Sequence, residues 1–225
     1  MYRIIYKKII KKMKIEDLPN KIAVFPLSNF IIFPKTTVPL NIFEPRYIQM
    51  IDDAMKGDRI IGIIQPKKTG DLKKPNLYDV GCAGKITSFN ETEDGRYLIV
   101  LNGICRFKII SEEKNDKLYR VCKINFNEYL DDLSKKDEGI KNTDLKFIFD
   151  ELKKYFKKQG YLINLEEIKK NNLDQTINAL SMASPFSLEE KQILLETKNL
   201  KIRKEKLEEI LKIYTLDNFS NNTLQ

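Results

Sequence analysis

Few residues in this sequence could do chemistry. Gly84-Lys85 is the one Gly-Lys pair, and a phosphate-cradling GxxxxGK loop ending in Ser or Thr would need Gly at 79 and a hydroxyl at 86, where the chain has Asp79 and Ile86. Nucleotide hydrolysis through that motif is excluded. Histidine is absent, which removes Ser-His-Asp and Cys-His catalysis and the commonest zinc ligand. The three cysteines, Cys82, Cys105 and Cys122, lie far apart in apolar, strand-like surroundings. They form no CxxC pair and no zinc spacing, and such thiols behave as small buried hydrophobes. A nucleophilic Cys82 would lack a base. Neither catalytic residue, metal nor cofactor is expected. An odd cysteine count without a secretion signal suits a reducing cytoplasm.

The charge narrows the partners. The net charge is +8, but residues 1–14 hold Arg3, Lys7, Lys8, Lys11, Lys12 and Lys14 and no acid. Removing those six from the 40 basic residues leaves 34 against 32 acidic ones, a balance of +2. A nucleic-acid binder usually carries a basic stripe on its folded body, and none is evident here, so nucleic acid is not the expected partner. The opening MYRIIYKKIIKKM has three readings: a basic arm for membrane or nucleic acid, a signal peptide that lacks its apolar core and cleavage site, or an over-extended start with Met13 as initiator. No apolar run approaches the ~20 residues that span a bilayer.

The elements that position the side chains come in two kinds. Residues 22–33 hold two short apolar runs broken by Pro26, and prolines 34, 39 and 45 punctuate the next stretch; short or edge strands are expected there. Residues 45–56 predict a helix, with Pro45 at its first position, Tyr47, Ile48, Ile51, Ala54 and Met55 on one face, and Gly57 as its left-handed stop. Ile60–Gln65 reads as a buried strand, and Lys67–Asn76 as a mobile surface loop. Asp94-Gly95 is a hairpin signal, Asn102-Gly103 reads as a second one, and Leu118–Phe126 as a further strand. From residue 143 the period becomes helical: Leu145, Ile148, Phe149, Leu152 and Phe156 share a face. Asn164 with Glu167 resembles a cap, Leu173–Ala183 a further helix, and Ser187 with Glu190 a capping box behind Pro185. The last helix is expected from about Asn199 to Tyr214.

Three stretches carry a family likeness: IAVFPLSNFIIFPKTTVPLNIFEPRYIQMIDDAMKGDRIIGIIQP, LYDVGCAGKITSFNETEDGRYLIVLNGICRFKI and NALSMASPFSLEEKQILLE. Together they resemble the N-terminal, substrate-binding domain of Lon proteases, and more closely its stand-alone bacterial form, from about Lys21 to Tyr214. The resemblance implies an α+β fold: a PUA-like open β-barrel with one inserted helix, then a C-terminal helical bundle. The expected division is a basic extension over 1–20, the β domain over 21–130, a linker over 131–142, the bundle over 143–216 and a frayed tail over 217–225. The ATPase and peptidase modules of Lon would each need roughly another 150–200 residues, so a Lon label would describe family, not chemistry.

Six positions are candidates for contact with a substrate or partner. Phe30, Ile32 and Phe33, with Ile31 between them, would grip unfolded chain if exposed, or fill the β core if not. Glu44 and Arg46 in FEPRY could hold a partner's charge, or serve the helix start and pair internally. Arg106 in CRF has the same two readings. The resemblance implies a non-catalytic module that binds unfolded polypeptide or a partner protein, such as a protease, as an adaptor or chaperone-like factor in the cytoplasm. The alternative is RNA binding by analogy with other PUA-like folds, which is fold analogy alone.

Overall fold

The computed structural model describes residues 14–28, 30–71, 74–134, 140, 142–158 and 172–220. The basic segment 1–13, the Asn164 and Glu167 cap, Gly160 and residues 221–225 lie outside the described residues.

Eight strands come first, with one helix among them: β1 (Lys21–Pro26), β2 (Thr37–Ile42), α1 (Pro45–Met55), β3 (Ile60–Ile64), β4 (Pro66–Asp71), β5 (Lys74–Leu77), β6 (Val80–Glu91), β7 (Tyr97–Glu113) and β8 (Arg120–Asn125). Every residue of β3 is buried, as its unbroken IIGII run requires. β1 lies parallel to β3, with Val24 opposite Gly62. A parallel pair needs a long crossover, and β2 with α1 supplies it.

The main sheet runs β2-β7-β6-β3-β1-β8, and β8 also pairs with β7. The sheet therefore closes on itself, where the sequence points to an open barrel. Closure depends on the length of β7. Its first part, Tyr97 to Asn102, pairs with β2, and its last part, Lys108 to Glu113, with β8. Asn102-Gly103 is thus not a turn but the middle of this strand. Gly103 is required by a distant neighbour: a Cβ there would sit 2.1 Å from the Phe33 carbonyl oxygen. The two backbones are also joined by Gly103 N–H to Thr36 O and Lys35 N–H to Gly103 O, both 2.8 Å. Asp94-Gly95 does make the β6–β7 turn, with Gly95 at φ +76°.

α1 starts at Pro45, as expected, and buries Tyr47, Met50 and Ile51. Its stop differs from expectation. Gly57 does not enter the left-handed region; Arg59 does, at φ 59°, and both their N–H groups return to the Ala54 carbonyl, at 3.1 and 3.0 Å. The Lys67–Asn76 stretch, expected as a loop, contributes the β4–β5 hairpin, a separate two-stranded sheet.

Among the described residues four α-helices follow: α2 (Lys146–Lys158), α3 (Leu173–Ala183), α4 (Leu188–Glu196) and α5 (Leu200–Ser220). The Ser187 hydroxyl accepts from the Glu190 N–H at 3.2 Å, and the Glu190 carboxylate accepts from the Ser187 N–H at 2.8 Å, so the capping box forms. α5 stays helical to Ser220, past the end expected near Tyr214. Leu207, Ile210 and Leu211 of α5 join Ile148, Leu152, Ile177 and Leu194 in one hydrophobic core continuous with the barrel. This is an α+β architecture with a helical C-terminal part, packed as a single interior.

Candidate polypeptide-binding groove

The structure divides the six candidate residues into two sets. Ile32 and Phe33 are 0% exposed, and Arg106 is 1% exposed; none presents a surface to a partner. Phe30 is partly buried and packs against the same core. Ile31, Ile32 and Phe33 fill the core, and helices α3 and α5 meet the end of the run. The Asn178 side chain donates to the Pro34 carbonyl at 2.8 Å, and the Arg203 guanidinium lies 5.3 Å from the Phe33 ring centre.

Arg106 is a fastener rather than a contact. Its Nε and Nη2 donate to the two carboxylate oxygens of Asp132 at 2.8 Å, and Nη1 donates to the Leu195 carbonyl at 2.9 Å and to the Thr197 carbonyl. Its guanidinium stacks 4.2 Å above the Tyr129 ring centre. One side chain thus ties β7 to the segment after β8 and to the α4–α5 turn. Asp132 falls inside the stretch read as linker, yet its side chain is only 8% exposed. Beside this joint is a cavity of about 30 Å³ that includes Lys35, Asp174 and Arg203, a size for one or two waters.

Glu44 is half-buried and Arg46 exposed, and Arg46 stands on a groove of about 250 Å³. Four short pieces of chain build its walls: Pro26 and Ser28 at the end of β1, Arg46 and Tyr47 at the start of α1, Pro66, Lys74 and Pro75 of the β4–β5 hairpin, and Leu118, Tyr119 and Arg120 entering β8. Each is placed by the fold. Pro45 starts α1 so that Tyr47 turns inward onto Phe25, ring centres 4.1 Å apart. The Gln49 side chain accepts from the Leu118 N–H at 2.9 Å and holds the β8 entry against α1. Leu118 itself remains 61% exposed at the mouth.

Aromatic and proline faces alternate here with cations. Arg46 lies 4.5 Å over the Tyr47 ring and reaches Glu44 at 2.7 Å. Lys74 and Arg120 share Glu112, at 2.8 and 2.6 Å, and Arg120 also donates to the Pro75 carbonyl at 2.8 Å. The Arg120 Nε is buried without an acceptor. Burial pushes the Glu112 carboxyl up, but hydrogen bonds from Arg120 and Lys74 outweigh it and leave it below its ordinary value. Burial pushes the Tyr47 hydroxyl up, opposed by Arg46. Below the rim, Asp53 accepts from the Tyr119 hydroxyl at 2.7 Å and from Lys117 at 2.9 Å, and these bonds hold its carboxyl low. Of the lining residues, Arg46 was a sequence candidate, and Tyr47 was read only as part of the apolar helix face. Lys74, Tyr119 and Arg120 were not legible, because nothing local marks them as neighbours of α1.

Nothing in this arrangement is a nucleophile with a base. Cys82, Cys105 and Cys122 are free and buried, with thiols pushed up by burial, Cys122 to about 11. Among the described residues no group of three His, Cys, Asp or Glu side chains is placed to hold a metal ion. Nor is any described helix long and apolar enough to cross a membrane.

Comparison with known proteins decides the family. The ATP-dependent protease La (LON) substrate-binding domain matches residues 21–213. The chain belongs to this family. Lon proteases of Desulfosudis oleivorans and Syntrophus aciditrophicus are similar to this Lon domain at 26% and 29% identity over 85% and 84% of the chain. It spans only about a quarter of their length, 24% and 25%. A Lon N-terminal domain protein from Xanthomonas campestris shares its fold with TM-score 0.60 at 18% identity, over 84% of this chain and 97% of that one. The N-terminal domain of Mycobacterium avium complex Lon protease does so with TM-score 0.57 at 16% identity, over 85% and 98%. The 225 residues hold the substrate-recognition module and are too few for the ATPase and protease domains as well.

Proposed function

We propose that this Lon domain is a non-catalytic module that binds unfolded polypeptide, in the cytoplasm, as an adaptor or chaperone-like factor in proteolysis. The observation that carries the reading is membership of the substrate-binding family over residues 21–213. The groove supports it. Prolines and an exposed leucine offer apolar faces to side chains, and the flanking donors can take backbone carbonyls. An extended chain gains burial from such a surface, whereas a folded protein keeps its own apolar groups inside. The absence of histidine and the buried, high-pKa thiols support a role without covalent chemistry. Phe30, Glu44 and Arg46 remain the sequence candidates for contact; of these, Arg46 lines the groove.

Fluorescence anisotropy tests the reading. A labelled, permanently unfolded protein is titrated with the full chain at moderate salt, with the folded form of the same protein as control. Saturable binding of the unfolded form alone is expected. Equal binding of both forms, or of neither, overturns the reading.

A further inference from the structure

The charges of the groove point to a preference among unfolded chains. Three cations line it, on three different elements: Arg46 on α1, Lys74 on β5 and Arg120 on β8. They form two centres. Arg46 with Glu44 is neutral as a pair, while Lys74 and Arg120 share the single carboxylate of Glu112 and carry an excess positive charge. Both arginines line the groove with Tyr47, and Arg46 lies 4.5 Å over its ring. Elsewhere the chain mixes its charges closely, and outside residues 1–14 it is near balance. A groove whose cations outnumber its carboxylates is therefore a local departure from the body's neutrality.

We infer that this groove selects polypeptide segments in which an Asp or Glu side chain neighbours an aromatic or aliphatic one; the inference rests on the polypeptide-binding reading above. The apolar side chain lies on Pro75 and Leu118, beside the buried Tyr47, and the carboxylate pairs with Lys74 and Arg120. Lys74 is the exposed partner, its side chain 64% accessible against 20% for Arg120; an exposed ion pair is weak, so an incoming carboxylate shares Lys74 with Glu112 while Arg120 stays paired and adds its charge. Cations spread over three elements suit side chains along an extended segment better than one terminal carboxylate. Charge complementarity of this kind selects among partners more than it adds affinity.

The test uses the full chain and three labelled peptides with the same aromatic and leucine residues, whose variable positions are all Glu, all Gln or all Lys, each with an amidated C terminus. The Glu peptide is expected to bind tighter than the Gln peptide by about 5-fold, and the Lys peptide weakest, with the spread closing at about 0.5 M salt. Lys74→Glu, at a side chain 64% exposed, is expected to reverse the order without altering the circular dichroism spectrum. Equal binding of all three peptides, unchanged in Lys74→Glu, overturns the acidic preference and leaves polypeptide binding standing. Failure of every peptide together with the unfolded protein overturns both.

Discussion

Arg106 and Asp132, separated by 26 residues, meet in a two-pronged ion pair in which both side chains are almost fully buried. The remaining guanidinium donor caps carbonyls of Leu195 and Thr197. Because a buried charge without its partner is costly, this pair makes the barrel and the helices interdependent. Arg106→Met, which leaves Asp132 unpaired, is expected to lower stability by about 3–5 kcal/mol in urea denaturation. Arg106→Lys should recover little of it, since an ammonium cannot bridge two carboxylate oxygens and two carbonyls at once. A loss within the noise for either variant would show that the joint does not hold the two parts together.

Gly103 and Gly95 separate two reasons for glycine. Gly95 needs its left-handed φ, and a Cβ added there would meet nothing within 4 Å, so Gly95→Ala should cost about 1 kcal/mol. At Gly103 a Cβ meets the Phe33 carbonyl at 2.1 Å, and β7 must move away from the Phe33-Pro34 backbone. Gly103→Ala is expected to cost more than Gly95→Ala in parallel denaturation curves. The reverse order would contradict the close approach.

These two glycines also show what a sequence can disclose. Asp94-Gly95 and Asn102-Gly103 are the same kind of local signal, and only the first is a turn; the second glycine answers to a backbone about seventy positions earlier, which no local pattern records. Pro45 and the Ser187–Glu190 box were legible because each acts within one helical turn. Arg106 was visible as a charge in an apolar strand. Internal pairing was one of its two readings, but its partners were not visible, because two of its acceptors are main-chain carbonyls, which every residue has, and Asp132 lay in a stretch that reads as linker. The Phe30–Phe33 run was ambiguous for a related reason: the helices that meet its end, α3 and α5, lie far along the chain. Of the groove, Arg46 alone was a sequence candidate, because Lys74, Tyr119 and Arg120 come to it from the β4–β5 hairpin and the β8 entry, which no local pattern joins to α1.

The thiols give a test of burial. With all three cysteines inside and their thiols raised, the native chain should react with an aromatic disulfide reagent at pH 8 only as fast as it opens, and the unfolded chain at once with all three. Rapid reaction of one thiol in the native chain would place it at the surface.

Asp53 gives a test in pH. Its hydrogen bond from Tyr119, then that from Lys117, lower its carboxyl in the folded chain. A depressed acid contributes stability above its unfolded value and loses it as pH falls through the folded value. Asp53→Asn should therefore be less stable than the parent at pH 7, by roughly 0.5 kcal/mol for a pair this exposed, and the gap should close below about pH 4. A gap that persists at low pH would mean that something other than the carboxylate charge is lost.

The central claim is that unfolded chain enters the groove between α1, the β4–β5 hairpin and β8. Hydrogen exchange of the full chain, with and without a saturating, permanently unfolded protein, tests it most directly. Slowed exchange is expected around Arg46–Gln49, Lys74–Leu77 and Lys117–Arg120, with the helices α2 and α5 unchanged. Protection confined to the helices, or found nowhere while binding is demonstrable, would contradict the groove as the site.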